Sequence, residues 1–294
     1  MQLFNTAEAA SYLRLKERKL YELVSDGAIP CTKITGKWLF PKSELDRWLA
    51  LSLARPSGLA PADPMPIVGG SHDPLLEWAL RESGSGLATL PEGSEAGLAR
   101  FVAGELLAAA IHLHALDNAE ADANVAAVGQ KSAFHDAVLI GFVRREQGLL
   151  VASRNPLGIR SIDDVAARRA RLAVRPAGAG AQLLLLALLH RAKLGLNRLK
   201  CVSPACPTGP DIAQAIRASR ADCGIATRSV ANAAGLDFVP VVWEHFDLVM
   251  RQRDYFRPPL QTFLGFLRTP EMHARAQELG GYDLGGAGQV RFSA

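Results

Sequence analysis

Three loops rich in glycine, alanine and serine have the composition that suits ligand binding. Small residues let the main chain approach a ligand closely, and hydroxyl groups add directional hydrogen bonds. Where such a loop leads into a helix, the free N–H groups of the first turn favour an anion. The candidate ligand-binding residues are Ser71, His72, Gly93, Ser94, Gly178, Ala179, Gly180 and Ala181, with His112 and the hydroxyl of Thr208 as further candidates.

The sequence shows no set of residues arranged for catalysis. Ser71, His72 and Asp73 are the residue types of a hydrolase triad, but triad members converge from separate elements, which consecutive residues cannot do. There is no Gly-x-Ser-x-Gly elbow, no Walker loop and no His-Glu-x-x-His motif. We therefore expect no catalytic residues, no cofactor and no enzyme activity.

Seven histidines raise the question of a metal site. His112 and His114 alternate within a predicted strand at residues 110–114, so their side chains are expected on opposite faces, where they cannot share one ion. His245 and His273 have no partner at ligand spacing. We therefore predict no metal site.

Alternating strands and helices must position the candidate loops. Strands are predicted at residues 67–70, 87–90, 110–114, 171–174, 221–226 and 238–241, and residues 138–152 are predicted to form one buried strand or a pair of strands. One helix is predicted with Asp73 as its N-cap and Pro74 in its first turn. Further helices are predicted from residue 95 to about 108, after Ser161, after Ala181 and from Asp211. This alternation is typical of an α/β fold with parallel strands, in which ligands bind beyond the carboxyl ends of the strands.

The first 50 residues show a different pattern of two helices, a hairpin and a third helix. Thr6 is the expected N-cap of the first helix, and residues 16–25 are predicted to form the second. Residues 31–40 have the pattern of two strands joined by a tight turn. Ser43 is the expected N-cap of the third helix, whose inward residues would be Leu45, Trp48 and Leu49.

Basic residues in this region lie where a DNA-binding module would contact a groove and phosphates. One group begins the second helix and another lies on the hairpin. The alternative is a small helical domain that only contacts other proteins, since charge alone does not decide between the two. The candidate DNA-binding residues are Lys16, Glu17, Arg18, Lys19, Tyr21, Lys33 and Lys37.

The same region resembles the excisionase-like, MerR-type winged helix-turn-helix. The resemblance implies that double-stranded DNA is a partner. The residues that carry it are Thr6-Ala7-Glu8-Ala9-Ala10-x-Tyr12-Leu13, Tyr21-Glu22-Leu23, Gly27-x-Ile29-Pro30, Gly36-Lys37-Trp38 and Leu45-Asp46-Arg47-Trp48-Leu49.

Residues 67–250 resemble the type II periplasmic-binding-protein superfamily, in particular its branch related to molybdate-binding proteins. That resemblance implies two lobes joined by crossover strands, with a ligand in the cleft between them. It rests on Gly70-Ser71-His72-Asp73-Pro74-Leu75-Leu76, Ile111-His112-Leu113, Arg145-x-Gln147-Gly148-Leu149, Asn155-Pro156, Ala221-Asp222-x-Gly224-Ile225 and Gly235-Leu236-Asp237-Phe238-Val239-Pro240.

One departure from this second family affects the expected ligand. Related sequences tend to have Gly-Ser-Gly-Thr-Arg where this chain has Gly178-Ala179-Gly180-Ala181-Gln182. The loss of two hydroxyls and an arginine weakens the case for molybdate or tungstate and leaves a small organic acid as an alternative. Asp73 would oppose an anion unless it caps the helix that follows, whereas Arg144 and Arg145 could supply a counter-charge.

Length and composition fit two domains of an ordinary globular protein. The chain has 294 residues, 49% of them hydrophobic and 21% charged, with a net charge of +4 and four irregularly spaced cysteines that suggest no disulfide framework. We assign residues 1–52 to the DNA-binding domain, residues 53–66 to a proline-rich linker and residues 67–294 to the two-lobed domain. No signal peptide or membrane segment is evident, so a cytoplasmic location is expected.

These features predict a one-component transcriptional regulator with a small-molecule sensor domain. Regulators of this kind commonly pair two half-sites, so a homodimer or higher homo-oligomer is expected. One alternative is an enzyme of small-molecule or molybdenum-cofactor metabolism with an accessory DNA-binding module. Another is a binding protein whose N-terminal module recruits a protein partner.

Overall fold

The computed structural model describes residues 2–52, 64–116, 122–130 and 132–294, and the chain divides into two compact units after Pro56. The smaller unit has three helices and an antiparallel sheet in which β3 lies between β1 and β2. Its elements are β1 (Leu3–Phe4), α1 (Thr6–Tyr12), α2 (Glu17–Ser25), β2 (Thr32–Ile34), β3 (Lys37–Pro41) and α3 (Lys42–Ser52).

Apolar side chains from every helix and from β3 form the core of this unit. They recur at helical spacing on α1 and α2, with Leu20, Leu23 and Val24 on the inward face of the second helix. The buried members are Ala9, Ala10, Leu20, Ile29, Phe40 and Leu45, and Leu23, Val24, Trp38 and Trp48 pack against them.

Helix starts in the small unit differ from the prediction. The N-cap of α1 is Asn5, whose Oδ1 accepts from the Glu8 N–H at 2.9 Å while Glu8 Oε2 accepts from the Asn5 N–H at 2.8 Å. This reciprocal capping box satisfies two otherwise free donors and displaces Thr6 into the helix. The third helix starts at Lys42, so Ser43 lies inside it, and Leu49 is 40% exposed rather than inward.

The larger unit begins with alternating strands and helices that form one lobe. The three strands β4 to β6 are parallel, and β4 lies between the other two. The elements are β4 (Met65–Gly70), α4 (Pro74–Glu82), β5 (Ala88–Pro91), α5 (Ser94–Val102), β6 (Leu106–Ile111), α6 (Ala123–Gly129) and β7 (Ala137–Val151).

The chain then builds the second lobe and returns to the first. Parallel pairing of β8 with β9 and β10 organises the second lobe. The elements are α7 (Ile162–Ala167), β8 (Arg171–Ala173), α8 (Gly180–Arg191), β9 (Lys200–Val202), α9 (Gly209–Arg217), β10 (Cys223–Thr227), α10 (Arg228–Ala234), β11 (Asp237–Arg251), α11 (Gln252–Tyr255), α12 (Pro258–Phe266), α13 (Pro270–Leu279), β12 (Tyr282–Asp283) and β13 (Val290–Ser293).

Two 15-residue strands, β7 and β11, join the lobes. They pair with each other antiparallel, in a sheet of order β5-β4-β6-β11-β7-β10-β8-β9, and β12 and β13 also pair with β7. Separate apolar cores form around Phe142 and Phe246 in the first lobe and around Leu149 and Leu172 in the second. The predicted α/β architecture with two lobes and crossover strands is therefore confirmed.

Several predicted boundaries in the larger unit were wrong. The helix expected at residues 95–108 ends at Val102, because Gly104 turns the chain with φ 76° and β6 starts at Leu106. The strand expected at residues 238–241 is the first part of β11. Strand β4 starts at Met65, inside the predicted linker, of which residues 53–63 lie outside the described part of the chain.

No helix among the described residues is long and apolar enough to cross a membrane. The four cysteines are free thiols.

Candidate functional site

Arg145 lies at the centre of the contact between the two lobes. It belongs to β7, its side chain is 1% exposed, and its pairing partner on β11 is Glu244. Its Nε donates to Glu244 Oε1 at 2.7 Å and its Nη1 donates to Asp73 Oδ2 at 2.7 Å. A buried cation needs such partners, because desolvating an unpaired charge is costly. Burial opposes ionisation of Arg145, but the two carboxylates overcome this and raise its pKa.

Glu244 gathers donors from three further side chains. It accepts from Gln147 Nε2 at 3.0 Å, and it lies 3.0 Å from His112 Nδ1 and 2.8 Å from His114 Nε2. Burial alone would raise the pKa of Glu244, but its neighbours, chiefly His112 and Arg145, hold it well below the usual value. Glu244 is therefore a buried carboxylate on β11 that fixes side chains from β7 and from the end of β6.

The prediction that His112 and His114 point to opposite faces was wrong. Strand β6 ends at Ile111, so alternation no longer applies beyond it, and both rings approach Glu244. Burial lowers the pKa of His112 to about 4, with Arg145 adding to this effect and Glu244 opposing it. The ring of His112 is therefore neutral at pH 7.

The same three side chains have the donor atoms of a metal site, with one atom from each lying within 4.8 Å of the others. Two histidines and a glutamate are a common zinc ligand set. Here, however, Arg145 and Gln147 already donate to the carboxylate, and the Arg145 cation would repel a metal ion at short range. We therefore interpret this group as an ion-pair and hydrogen-bond network.

Asp73 connects Arg145 to the helices of both lobes. As predicted, it caps α4, since its Oδ1 accepts from the N–H groups of Leu75 at 2.9 Å and Leu76 at 3.1 Å. The Tyr282 hydroxyl lies 3.1 Å from Asp73 Oδ2 and 2.8 Å from Ser229 Oγ on α10. Burial and the charge of Asp73 raise the pKa of Tyr282 well above its usual value, which keeps the phenol protonated.

A small polar cavity of about 20 Å³ lies beside this network. That volume is about enough for one water molecule, so the lobes are closed upon each other. The lining residues are His72, Pro74, His112, Arg145, Gln147, Arg175, Ala181, Gly209, Ala226, Thr227 and Val230.

Arg175 brings a second guanidinium to the cavity. Its Nη2 donates to the Pro207 carbonyl at 2.6 Å, while its buried Nε has no hydrogen-bond partner among the described residues. Burial and the nearby charge of Arg145 lower the pKa of Arg175 to about 10, so it remains charged at pH 7. The cavity therefore has two cations on its walls, and in the described part of the chain no carboxylate is hydrogen-bonded to Arg175.

The three predicted loops meet across the cleft, although most of their residues do not line the cavity. The Glu95 N–H donates to the Gly178 carbonyl at 3.2 Å, and a Cβ added at Gly180 would lie 2.3 Å from the His112 carbonyl oxygen. Of the predicted ligand residues, His72, His112 and Ala181 line the cavity. Ser71, Gly93, Ser94, Gly178, Ala179, Gly180 and Thr208 do not.

The predicted hydroxyl groups are occupied within the protein. Ser71 Oγ and Ser94 Oγ lie 2.7 Å apart, and the Ser94 oxygen also accepts from the His112 N–H at 3.1 Å. Thr208 is the N-cap of α9, which therefore starts two residues before the predicted Asp211, and its hydroxyl donates to Asp211 Oδ2 at 2.6 Å. Gly209 lines the cavity instead.

The contributors that the sequence analysis missed include Gln147 on β7, Thr227 on β10, Arg175 and Glu244. A signal was present for two of them, because Gln147 and Glu244 are polar residues inside long strands and need partners there. Arg175 directly follows the strand segment that was predicted at residues 171–174, and nothing local distinguishes it from a solvated residue.

In the smaller unit, the candidate DNA-binding side chains are exposed. The Arg18 side chain is 92% exposed, Tyr21 is 49% exposed, and Lys19 Nζ lies 3.0 Å from Glu22. Lys37 begins β3, and Lys33 Nζ lies 5.2 Å from the centre of the Trp38 ring. Lys16 is the N-cap of α2 and Glu17 its first residue.

The sheet order, the two crossover strands and the closed interlobe cleft define a protein of the periplasmic-binding-protein class. The model of the PBP superfamily domain matches residues 77–268, more than half of the chain, and the chain belongs to that family. A helix-turn-helix domain model matches residues 3–50.

Similar proteins support the same architecture. The curated "Uncharacterized protein YvgK" of Bacillus subtilis (strain 168) is 22% identical, over 98% of this chain and 97% of its own length. A hydrogen-peroxide-bound mutant of Corynebacterium glutamicum OxyR aligns with a TM-score of 0.51 at 14% identity, over 94% of this chain and 89% of that chain. A tungstate ABC transporter from Geobacter sulfurreducens gives 0.50 at 13% identity, over 74% and 100%. At these identities the two structures show the fold alone.

Proposed function

We propose that this protein is a one-component transcriptional regulator, whose small unit binds operator DNA and whose larger unit binds a small anion between its lobes. The observation that carries the proposal is the presence, in one chain, of a helix-turn-helix domain and a PBP superfamily domain. In such a pairing, the first domain has an exposed basic surface for DNA and the second a cleft for a small molecule.

The charge distribution in the cleft supports an anionic ligand. Arg145 is balanced by Asp73 and Glu244, whereas the buried Nε of Arg175 faces no acceptor among the described residues. The charge of Arg145 contributes to the lowered pKa of Arg175, and an anion placed beside Arg175 would offset that repulsion. A more open hollow of about 680 Å³ along α9 and α10 is lined mainly by alanine, proline and valine, so it suits an anion less well.

Closure of the lobes supplies the means of signalling. Ligand entry requires the lobes to separate from the closed form, since the cavity holds about 20 Å³. The lobes then close around the ligand less far than they do here. A ligand bound more tightly by that closed form than by the open form shifts the equilibrium toward closure, and typical coupling between two sites is about 1–3 kcal/mol.

We also infer that the regulator acts as a homodimer or higher homo-oligomer. One small winged module offers limited contact with DNA, and protein symmetry commonly matches two half-sites. Light scattering at micromolar concentration, with and without operator DNA, tests this, and a monomer under both conditions would contradict it.

Arg175→Met is the direct test of the anion site. A thermal-shift screen of wild type with molybdate, tungstate, phosphate, sulfate and small carboxylates should identify a stabilising anion. The variant should lose that stabilisation, and the ligand's effect on operator affinity, while retaining DNA binding in its absence. Arg160→Met, at an exposed arginine of the same lobe, is the matched control and should respond as wild type does. A normal ligand response in Arg175→Met would exclude this cleft as the sensor.

A further inference from the structure

Two buried polar atoms in the cleft have no hydrogen-bond partner among the described residues, and they are of opposite kinds. Arg175 Nε is a donor, and Gln147 Oε1 is an acceptor. Gln147 is 2% exposed and lines the cavity together with Arg175. Because leaving a buried polar atom unpaired is costly, a ligand that pairs with both atoms is favoured over one that pairs with Arg175 alone.

The orientation of the Gln147 amide follows from its neighbour. Its Nε2 lies 3.0 Å from Glu244 Oε1, and an ionised carboxylate only accepts hydrogen bonds. The amide nitrogen must therefore face Glu244, which leaves Oε1 as the atom without a partner. If the amide were rotated by 180°, Gln147 Oε1 would face Glu244 Oε1, and neither acceptor could donate a hydrogen bond to the other.

The residue paired with Gln147 does not supply the missing donor. Thr227 on β10 is opposite Gln147 in the sheet register, but its hydroxyl interacts with Ser229 Oγ at 2.8 Å. Arg145 also lines the cavity, but its Nε and Nη1 are directed to Glu244 and Asp73. The unpaired acceptor is therefore available to a ligand.

We infer that the cleft selects anions that also carry a hydrogen-bond donor next to the anionic group. This inference rests on the proposed anion site and adds the chemistry that site discriminates. The donor can be a hydroxyl beside a carboxylate or the proton of a hydrogen phosphate, and both present one acceptor to Arg175 and one donor to Gln147. Fully deprotonated tetrahedral oxyanions such as molybdate, tungstate and sulfate have hydrogen-bond acceptors only. One of their oxygen atoms would therefore face Gln147 Oε1, which is also an acceptor, and no hydrogen bond could form.

Matched pairs of anions test this selectivity on the full-length wild-type protein. Phosphate and sulfate at pH 7 are both tetrahedral, but only phosphate retains a proton. Lactate and propionate differ by one hydroxyl. Isothermal titration should show that, in at least one pair, the anion with a donor binds at least about tenfold more tightly than the anion without one. The anion without a donor leaves the buried Gln147 Oε1 unpaired, which weakens its binding. The pair that shows the preference distinguishes a hydrogen phosphate from a hydroxy acid.

Gln147→Met tests whether this residue is the one that selects. The variant keeps the size of the side chain and removes its acceptor, so the preference within the pair should fall to about twofold or less. Gln214→Met, at an exposed glutamine, is the control and should keep the wild-type preference. A preference that persists in Gln147→Met would overturn the inference.

The possible failures are distinguishable. If sulfate and propionate bind wild type as tightly as phosphate and lactate do, the inference is overturned and the anion site stands. If molybdate or tungstate binds but none of the four paired anions does, the inference is overturned and the anion site again stands. If no anion binds, both the inference and the proposed anion site are overturned.

Discussion

Each unit of this protein contains an arginine–glutamate pair, and the two pairs differ in burial. On α2, Arg18 and Glu22 lie 3.5 Å apart with side chains 92% and 46% exposed. In the larger unit, Arg145 and Glu244 lie 2.7 Å apart and are 1% and 4% exposed. Water solvates the first pair, so Arg18 can leave Glu22 for a DNA phosphate or base at little cost. The second pair cannot separate without leaving buried charges unpaired, so it fixes β7 and β11 relative to each other at the cleft.

The largest expected effect is the loss of stability caused by Glu244→Gln. Removing this carboxylate leaves Arg145 with only Asp73 as an ionic partner, and breaking a buried pair in this way costs about 3–5 kcal/mol. Urea unfolding followed by circular dichroism should show a lower midpoint for the larger unit. Glu22→Gln is the surface counterpart and should change stability by no more than about 0.5 kcal/mol. Equal effects in the two variants would remove the contrast between the pairs.

The second expected effect is that the stability of the fold depends on pH through the protonation of His112. Its pKa is about 4 in the folded protein against 6.5 normally, so the unfolded chain binds more protons between those values. Stability is therefore retained above pH 6.5 and lost as pH falls toward 4, by about 3 kcal/mol. Denaturation measured across this pH range should show that the free energy of unfolding falls less steeply in His112→Asn than in wild type. Asp247, whose pKa burial raises to about 6, acts in the opposite direction and is common to both proteins. Identical pH profiles would show that His112 is not the responsible group.

A third prediction concerns closure of the cleft, through Gly180→Ala. The added Cβ would lie 2.3 Å from the His112 carbonyl oxygen, which is backbone and cannot move aside freely. Overpacking of this kind costs about 1–3 kcal/mol, so ligand affinity should fall about tenfold while unliganded DNA binding is unchanged. Gly265→Ala on α12 has nothing within 4 Å of its new Cβ and serves as the control. Wild-type ligand affinity in Gly180→Ala would show that binding does not need this closed contact.

On the DNA side, Arg18→Ala should weaken operator binding by about 1–3 kcal/mol if Arg18 contacts a base. The loss should be confined to the cognate sequence, which fluorescence anisotropy on specific and scrambled duplexes can measure. Because Arg18 is solvent-exposed, the fold of the small unit should be unaffected. A loss of equal size on both duplexes would assign Arg18 to phosphate contact instead.

The smallest expected effect is that of Lys37→Ala at the start of the wing strand. A phosphate contact contributes to all sequences alike, so specific and scrambled duplexes should weaken together. The slope of log affinity against log salt should fall by about 0.9. An unchanged slope would place Lys37 away from the DNA backbone.

The fold was predictable to the extent that local pattern decides it. The second helix, the hairpin turn at Thr35 and Gly36, the capping of α4 by Asp73 and the long strand β7 all follow from periodicity and turn chemistry. The length of β11 was missed because Glu244, His245 and Asp247 are polar in the sequence. Their partners lie on β7 and elsewhere, and only pairing explains why a strand holds them.

The candidate site was predictable in its location but not in its chemistry. Glycine-containing loops indicated where the lobes would meet, because a close backbone approach excludes side chains. The predicted His72 and His112 line the cavity, whereas Ser71 and Ser94 contact each other, and Gln147 and Arg175, which were not predicted, each have a buried atom without a partner among the described residues. Which of two polar residues remains unpaired depends on every neighbour, and sequence spacing carries little of that information.

The amino-acid sequence by itself determined the two-domain organisation, the exposed basic helix and wing, and the α/β pattern of the larger unit, because each depends on residues close together in the chain. Tertiary structure decided the network around Arg145. His112 and Glu244 are separated by 132 positions, and Tyr282 and Asp73 by 209. The burial that shifts their pKa values exists only once both lobes have packed around the crossover strands. Charge placement on a surface is thus a property of the sequence, whereas charge pairing in a cleft is a property of the fold.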